Sequence, residues 1–390
     1  MKNKISKFIT ITLVSLAFLY FTNDFGLIDI EKTSIVVALG IDAYSEKEYL
    51  VTAQIATPES SAEMTVKNQK KTVTGKGATV AEAIENIGAT TGWYPMLSFC
   101  ELVIIGEPLL RENVMDVITY FIRSDAIPDS AILVASENTA KEILDSTPIL
   151  EDLTALSLEK IVTDTQKSKL IAMSNVKQFA EDYYSKSACS YMPKIKKTEV
   201  ENSDNSSEGN GKDKRNLYDA TTTCVFSQGV YKFDLTKEET LVYNILKKGF
   251  ENIRFVLSDV EYDGKKCGAT LVVKKIKTAE KIKFDGGILY LPSIDISFNV
   301  EDFSVSADKS TLIPYEIIPQ NVLKKAEEKI SSALTSIFDK CLACDCDLFK
   351  LKESIYKYHY DKYELYKDGV LSSAILKTDV KCTSYVKNRV

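Results

Sequence analysis

The chain contains one histidine, His359, and eight cysteines, three of them within Cys341-Leu342-Ala343-Cys344-Asp345-Cys346. A single histidine excludes the H-E-x-x-H zinc hydrolases, the Cys2His2 fingers and His-rich di-metal centres. A Ser-His-Asp or Cys-His mechanism would have to use His359 as its base. That residue lies in Tyr356-Lys357-Tyr358-His359-Tyr360, where no acid or nucleophile stands at a recognisable spacing. One reading is a ligand or pH-sensitive contact. The plainer one is a solvated histidine near a helix end, where its charged form suits the helix dipole. Tyr356, Tyr358, Tyr360, Tyr363 and Tyr366 have the composition of an interface, in which tyrosine is enriched.

The Cys341/Cys344/Cys346 cluster has a spacing that can hold zinc or cycle between thiols and disulfide. A structural zinc site needs four ligands, and Cys382 would have to come near to complete it. The cluster closes a helical pattern, without the βαβ context of a thioredoxin motif. A structural role or an incidental disulfide is the expectation. Gly75-Lys76-Gly77-Ala78-Thr79-Val80 superficially matches a dinucleotide fingerprint, but Val80 occupies the third glycine position and no acidic partner follows. A tight turn into a capped helix accounts for it. There is no G-x-S-x-G elbow or P-loop. No catalytic, cofactor-binding or metal-ligating residue is assigned, and no cofactor is expected.

These residues need elements to position them. With 390 residues and 45% hydrophobic content, the chain can build two or three domains around real cores. A net charge of −6 gives no support for nucleic-acid binding. Lys2, Lys4 and Lys7 precede the apolar run Phe8–Phe21, and acidic residues follow it. That order places the N-terminus inside and the remainder outside the cytoplasm. The 14-residue run would reach about 21 Å as a helix. Bulky residues follow Ala17, so no small-x-small cleavage site is present. Residues 1–25 read as a short, uncleaved signal anchor.

Strands are expected at Ser34–Ile41 and Tyr49–Ala56, as a hairpin, and at Thr72–Thr74, Leu102–Ile105 and Ala131–Ala135. Helices are expected after Thr79 and Thr139, each with a glutamate three residues on, and over Pro108–Arg123 and Lys167–Tyr184. Glu201–Asn216 contains no apolar side chain and reads as a polar linker between regions 26–200 and 217–390. Beyond it, strands are expected at Thr221–Phe226, Gly229–Phe233, Asn252–Asp263, Ala269–Lys275, Ile294–Val300 and Ala374–Tyr385. Helices are expected after Thr236, over Gln320–Lys340 and over Asp347–Tyr358. The C-terminal region could divide again into 217–285 and 286–390. The fold class is α+β and multi-domain, with mixed β-sheets flanked by helices behind one N-terminal membrane anchor.

The ordered motifs resemble the Ger(x)C family, the C subunits of nutrient germinant receptors in spore-forming bacteria. Gly26–Glu31 followed by Ile35–Asp42 is similar to the family's opening "GCWD-R-E … A-x-V-x-G-I-D". Gly75-Lys76-Gly77-x-Thr79 with Glu82-Ala83-Ile84 resembles its "GEGKT-x-x-EA" turn. Leu102–Glu107, Arg111-Glu112 and Phe121–Asp125 resemble "VLVIGEELAREG … FLLRD". Leu235–Thr240 is similar to "LN-x-EET", and Asp347-Leu348-Phe349 with Ile355-Tyr356 to "D-x-F … LYRKYP". Leu27 replaces the cysteine that carries lipid in the family, so the apolar run would have to anchor the chain alone. The Cys341/Cys344/Cys346 cluster has no counterpart in the family pattern.

The resemblance implies a non-enzymatic subunit acting in spore germination, with A-type and B-type membrane subunits as partners. It implies soluble domains on the outer face of the inner spore membrane. The alternative is an anchored extracytoplasmic protein that binds a small ligand outside such a complex.

Overall fold

The computed structural model describes residues 2–22, 33–56, 71–151, 153–200, 215–247, 253–262, 265–305 and 318–385. Helix α1 (Lys2–Thr22) is followed by β1 (Thr33–Ser45), β2 (Glu48–Ala56), β3 (Lys71–Gly77), α2 (Val80–Thr91), β4 (Tyr94–Met96) and β5 (Leu102–Ile105). Next come α3 (Glu107–Arg111), α4 (Met115–Arg123), β6 (Ile132–Ser136), α5 (Ala140–Asp145), β7 (Thr147–Pro148), α6 (Thr154–Lys167), β8 (Ser174–Asn175), α7 (Val176–Tyr184) and β9 (Cys189–Val200). The C-terminal elements begin with β10 (Arg215–Ser227), β11 (Val230–Leu235), α8 (Lys237–Leu246), β12 (Arg254–Tyr262), β13 (Lys265–Phe284) and β14 (Ile288–Val305). They end with α9 (Gln320–Cys344), α10 (Leu351–Tyr358), α11 (Tyr360–Tyr366), β15 (Ala374–Leu376) and β16 (Asp379–Ser384).

The first sheet has the order β11-β10-β9-β6-β5-β1-β2-β3, with short strands β4, β7 and β8 beside it. Its centre is parallel, β1 with β5, β5 with β6 and β6 with β9. Its flanks are antiparallel. The apolar runs of the central strands follow from burial on both faces. Leu39, Ile41, Val103, Ile105 and Leu133 join one core with α2, α4 and α7. Their neighbours Ala38, Leu102, Ile104 and Val134 join another with α5 and α6. The second sheet is β12-β13-β14-β15, with β16 also on β14. It packs on α8 and α9, and its core runs continuously into Cys189, Tyr191, Val225 and Leu235 of the first sheet. The expected class, α+β with mixed sheets flanked by helices, is the class observed.

Several expectations change in detail. The helix expected over Pro108–Arg123 is two, α3 and α4. The break arises because the Val114 N–H donates to Gly229 O at 2.9 Å and Asn113 Oδ1 accepts from the Met115 N–H at 3.1 Å. Lys167–Tyr184 is not one helix: α6 ends at Lys167, and Lys169 takes a positive φ of 60°. Ala374–Tyr385 is two short strands, both parallel to β14.

The interior of the expected linker lies outside the described residues. Its flanking strands β9 and β10 pair antiparallel from Arg215↔Val200 to Ser227↔Cys189, so the first sheet continues past it to β11. The division expected at 285/286 falls at the tip of the β13–β14 hairpin, whose strands pair over Cys267–Phe284 and Ile288–Val305. Gly26–Glu31, with Leu27, also lies outside the described residues.

Candidate functional site

At the Gly75-x-Gly77 turn, α2 packs against both glycines. A Cβ at Gly75 would come within 2.0 Å of Ala83 O, and one at Gly77 within 2.5 Å of Ala83 N. Both glycines let α2 lie directly on β3. The Glu82 N–H donates to Thr79 Oγ1 at 3.1 Å, while the Glu82 carboxylate accepts from the Ala78 N–H at 2.7 Å. The turn is a helix start held from both sides.

Chemistry-bearing side chains gather where the two sheets meet. Helix α9 ends at Asp345 with φ 47°, and the reversed chain returns the Cys346 N–H to Cys341 O at 3.0 Å. Asp347 then organises the next turn. Its Oδ1 accepts from the Leu351 N–H at 2.9 Å, and Oδ2 from the Lys352 N–H at 2.8 Å and the Ser187 hydroxyl at 2.7 Å. A carboxylate at a helix N-terminus complements the exposed N–H groups and the dipole. Burial nevertheless raises its pKa, the Ser187 and backbone hydrogen bonds opposing.

The same turn is fastened to α7 and to the segment that follows it. Lys350 Nζ lies 2.5 Å from Asp182 Oδ1, and Glu353 Oε2 accepts from the Lys186 N–H at 2.8 Å. The Cys189 and Cys346 Sγ atoms are 3.1 Å apart and buried. Cys341 is also buried and Cys344 half-buried. Among the described residues no group of His, Cys, Asp and Glu side chains could hold a metal ion. Cys382 sits on β16, its N–H donating to Glu327 Oε1 at 2.8 Å.

Lys247 closes the seam from the end of α8. Its Nζ lies 2.7 Å from Tyr191 Oη and 4.2 and 4.3 Å from the Tyr191 and Tyr243 ring centroids. Desolvation, then the nearby Lys350 charge, pulls its pKa down to about 7. A lysine so placed holds its charge weakly at neutral pH.

His359 is both the end of α10 and the start of α11, the position near a helix end expected from sequence. Its ring meets Phe284 of the β13–β14 hairpin edge-on at 5.2 Å. Phe284 also stacks on Tyr366 at 5.8 Å. The tyrosine run divides. Tyr356, Tyr358 and Tyr360 are exposed, whereas Tyr363 and Tyr366 are half-buried against the core of the second sheet. Tyr356 meets Tyr360 at 5.6 Å and Tyr363 at 5.0 Å, and Lys186 lies 4.8 Å over the Tyr356 ring. Beside this surface a groove of about 510 Å³ is lined by Glu280, Tyr290, Phe349, Leu351, Ser354 and His359, among others. Sequence reasoning found the tyrosines and, within a family-like motif, Asp347, but missed Lys247 and Ser187, whose partners are distant along the chain.

This two-sheet architecture and its motifs define a class. The spore germination protein N-terminal domain profile matches residues 27–197, and the spore germination B3/GerAC-like C-terminal profile matches residues 221–388. The chain belongs to this germination-protein family.

Among curated proteins it is 30% identical over 118 residues to spore germination protein B3 of Bacillus subtilis (strain 168). That match takes in 30% of this chain and spans about a third, 31%, of the relative's length. Among solved structures, the crystal structure of the GerBC protein aligns with a TM-score of 0.49 and 18% identity. The alignment covers 92% of this chain and all of that one.

Proposed function

We propose that the chain is a non-enzymatic, membrane-anchored subunit of a nutrient germinant receptor, working with A-type and B-type membrane subunits. The observation that carries this reading is the presence of both family domains, in order, over most of the chain. In the proposed arrangement the folded units lie on the outer face of the inner spore membrane.

Among the described residues, no helix is long and apolar enough to cross a membrane. Helix α1 is nevertheless suited to an apolar surface. Ile5, Phe8, Ile9, Ile11, Leu13, Val14 and Leu16 are all exposed. The Thr10 and Thr12 hydroxyls donate to Ser6 O and Phe8 O at 3.0 and 2.9 Å, leaving neither donor to be satisfied by solvent. Anchoring by this helix would replace the lipid that Leu27 cannot carry.

Deleting the gene tests the reading. The expected result is loss of germination in response to at least one nutrient, restored by the wild-type gene but not by a copy lacking residues 2–22. An unaltered response to every nutrient, in a strain holding no other receptor of the family, would overturn it.

A further inference from the structure

The contact between Cys189 and Cys346 joins the first sheet to the turn that precedes α10. Cys189 is fixed at the head of β9 by its pairing with Ser227. Cys346 is fixed by its N–H bond to Cys341 O and by the Leu348 N–H donating to its own carbonyl at 2.9 Å. The sulfur separation of 3.1 Å exceeds a disulfide bond of about 2.05 Å by roughly 1 Å. Among the described residues no other pair of cysteine sulfurs is in such contact.

We propose that Cys189 and Cys346 are a disulfide-forming pair, closed in the mature protein to bolt the α9–α10 turn onto the first sheet. Closure in the mature protein rests on the extracytoplasmic reading above, because such bonds persist in oxidising compartments. The oxidant is a low-molecular-weight or protein disulfide, X–S–S–X. One cysteine thiolate attacks it, forming a mixed disulfide and releasing X–S⁻. The second thiolate attacks the protein sulfur of that mixed disulfide and releases the other X–S⁻. The two protons leaving the cysteines end on the two released thiolates. The protein loses two electrons and the oxidant gains them.

Both cysteines are buried once the turn has docked, so the exchange belongs to folding, before docking. Afterwards the packing that buries the sulfurs also shields the bond from attack by free thiols. The bond would hold the tyrosine surface of α10 and α11 rigidly against β9, so that force on one sheet reaches the other.

The test has two arms. In the first, the full chain in detergent is unfolded, refolded in a glutathione redox buffer, alkylated under denaturing conditions and digested without reductant. The expected product is one peptide pair linking Cys189 to Cys346, two hydrogens lighter than the separate thiol peptides and lost on reduction. Alkylation of both residues, or linkage of Cys346 to Cys341 or Cys344, would overturn the pair. In the second arm the protein is taken from spores into acid-quenched alkylating agent. A closed bond there supports the whole proposal. Free thiols there, after a linked pair in the first arm, overturn closure in the mature protein. Protease accessibility of the folded units in protoplasts then decides separately whether the extracytoplasmic reading fails too.

Discussion

Asp42, near the end of β1, accepts the backbone N–H of Ala140 at 2.7 Å with Oδ1, across 98 residues of chain. Its Oδ2 accepts the Lys141 N–H at 2.9 Å, and Thr139 Oγ1 accepts the Glu142 N–H at 3.1 Å. The first three N–H groups of α5 are thereby satisfied, two of them by a residue on another element. Gly40 makes room for this docking, since a Cβ there would lie 2.9 Å from Ala140 Cβ. Gly106 abuts the carboxylate, where an added Cβ would lie 2.1 Å from Asp42 Oδ1. Gly40-Ile41-Asp42 and Gly106, the points of family resemblance in this region, form one helix-docking node.

Asp42→Ala should therefore destabilise the first unit by about 2–3 kcal/mol, the cost of leaving buried N–H groups unpaired. Asp42→Asn, which keeps an acceptor, should cost less. Burial raises the Asp42 pKa while the Lys141 and Ala140 N–H bonds oppose it. A raised carboxyl contributes stability that is present below its unfolded value of 3.8 and lost as pH rises through the folded value. The advantage of wild type over Asp42→Asn should thus grow as pH falls from neutrality toward 4. Urea unfolding at several pH values measures it, and a pH-independent difference would contradict the assignment.

Glu239 behaves oppositely. Its Oε1 accepts the Ser336 hydroxyl at 2.7 Å; its Oε2 accepts Lys340 Nζ at 2.7 Å and the Thr236 N–H at 2.8 Å. The carboxylate is the capping-box acid of α8 and also ties that helix to α9. Desolvation raises its pKa, but the Lys340, Thr236 and Ser336 bonds together outweigh it and the net shift is downward. The stability it contributes is present above 4.5 and lost as pH falls through the lower folded value. Glu239→Gln should cost about 1–3 kcal/mol at neutral pH and less below pH 4. A cost that does not shrink in acid would show that the Lys340 pair is not its source.

Legibility of the fold followed sequence distance. The Thr79, Thr139 and Thr236 caps stand beside the residues they satisfy, and each was readable as a three-residue spacing. The α3–α4 break depends on Gly229 and was invisible in Pro108–Arg123, where apolar periodicity continues unbroken. Asp42 could be noticed only as part of a family-like motif, because α5, which it caps, begins 98 residues away; Asp347 stands beside its helix, but its bond to Ser187 is set by the fold. The candidate site was half legible. The tyrosines announced themselves by composition, but Lys247 is one lysine among many until Tyr191 and Tyr243 enclose it. The polar stretch after Val200 falls between the two family profiles, and composition says nothing about whether its two flanking strands pair, as β9 and β10 do.

Two glycines on opposite sides of the α2 packing make a controlled comparison. Gly75→Ala would drive a Cβ to 2.0 Å from Ala83 O and 2.8 Å from Ile87 Cγ1, so α2 must lift from β3. A cost of about 1–3 kcal/mol is expected for such overpacking. Gly88 is within α2, and its added Cβ would meet Trp93 O and Pro95 Cδ at 3.4 and 3.5 Å. Gly88→Ala should leave stability unchanged or raise it by up to about 1 kcal/mol, through helix propensity. Melting temperatures that fall equally for both would refute the packing account of the Gly75-x-Gly77 turn.

The tyrosine surface separates binding from stability. Tyr358 and Tyr360 are 76% and 61% exposed, so replacing either with serine should change unfolding free energy by only about 0.5 kcal/mol. Tyr366 stacks on Phe284 and packs on the core of the second sheet; Tyr366→Ser should cost about 1–3 kcal/mol through lost packing and ring contact. If α10 and α11 present the contact surface to the membrane subunits, the Tyr358→Ser/Tyr360→Ser double variant will keep wild-type melting behaviour. It will nevertheless recover several-fold less of the A-type and B-type subunits when purified from spore membranes. Undiminished recovery with that fully folded variant would move the contact elsewhere on the chain. The exposed rings would then be no more than the solvent side of a helical hairpin held down by Tyr363, Tyr366 and Phe284.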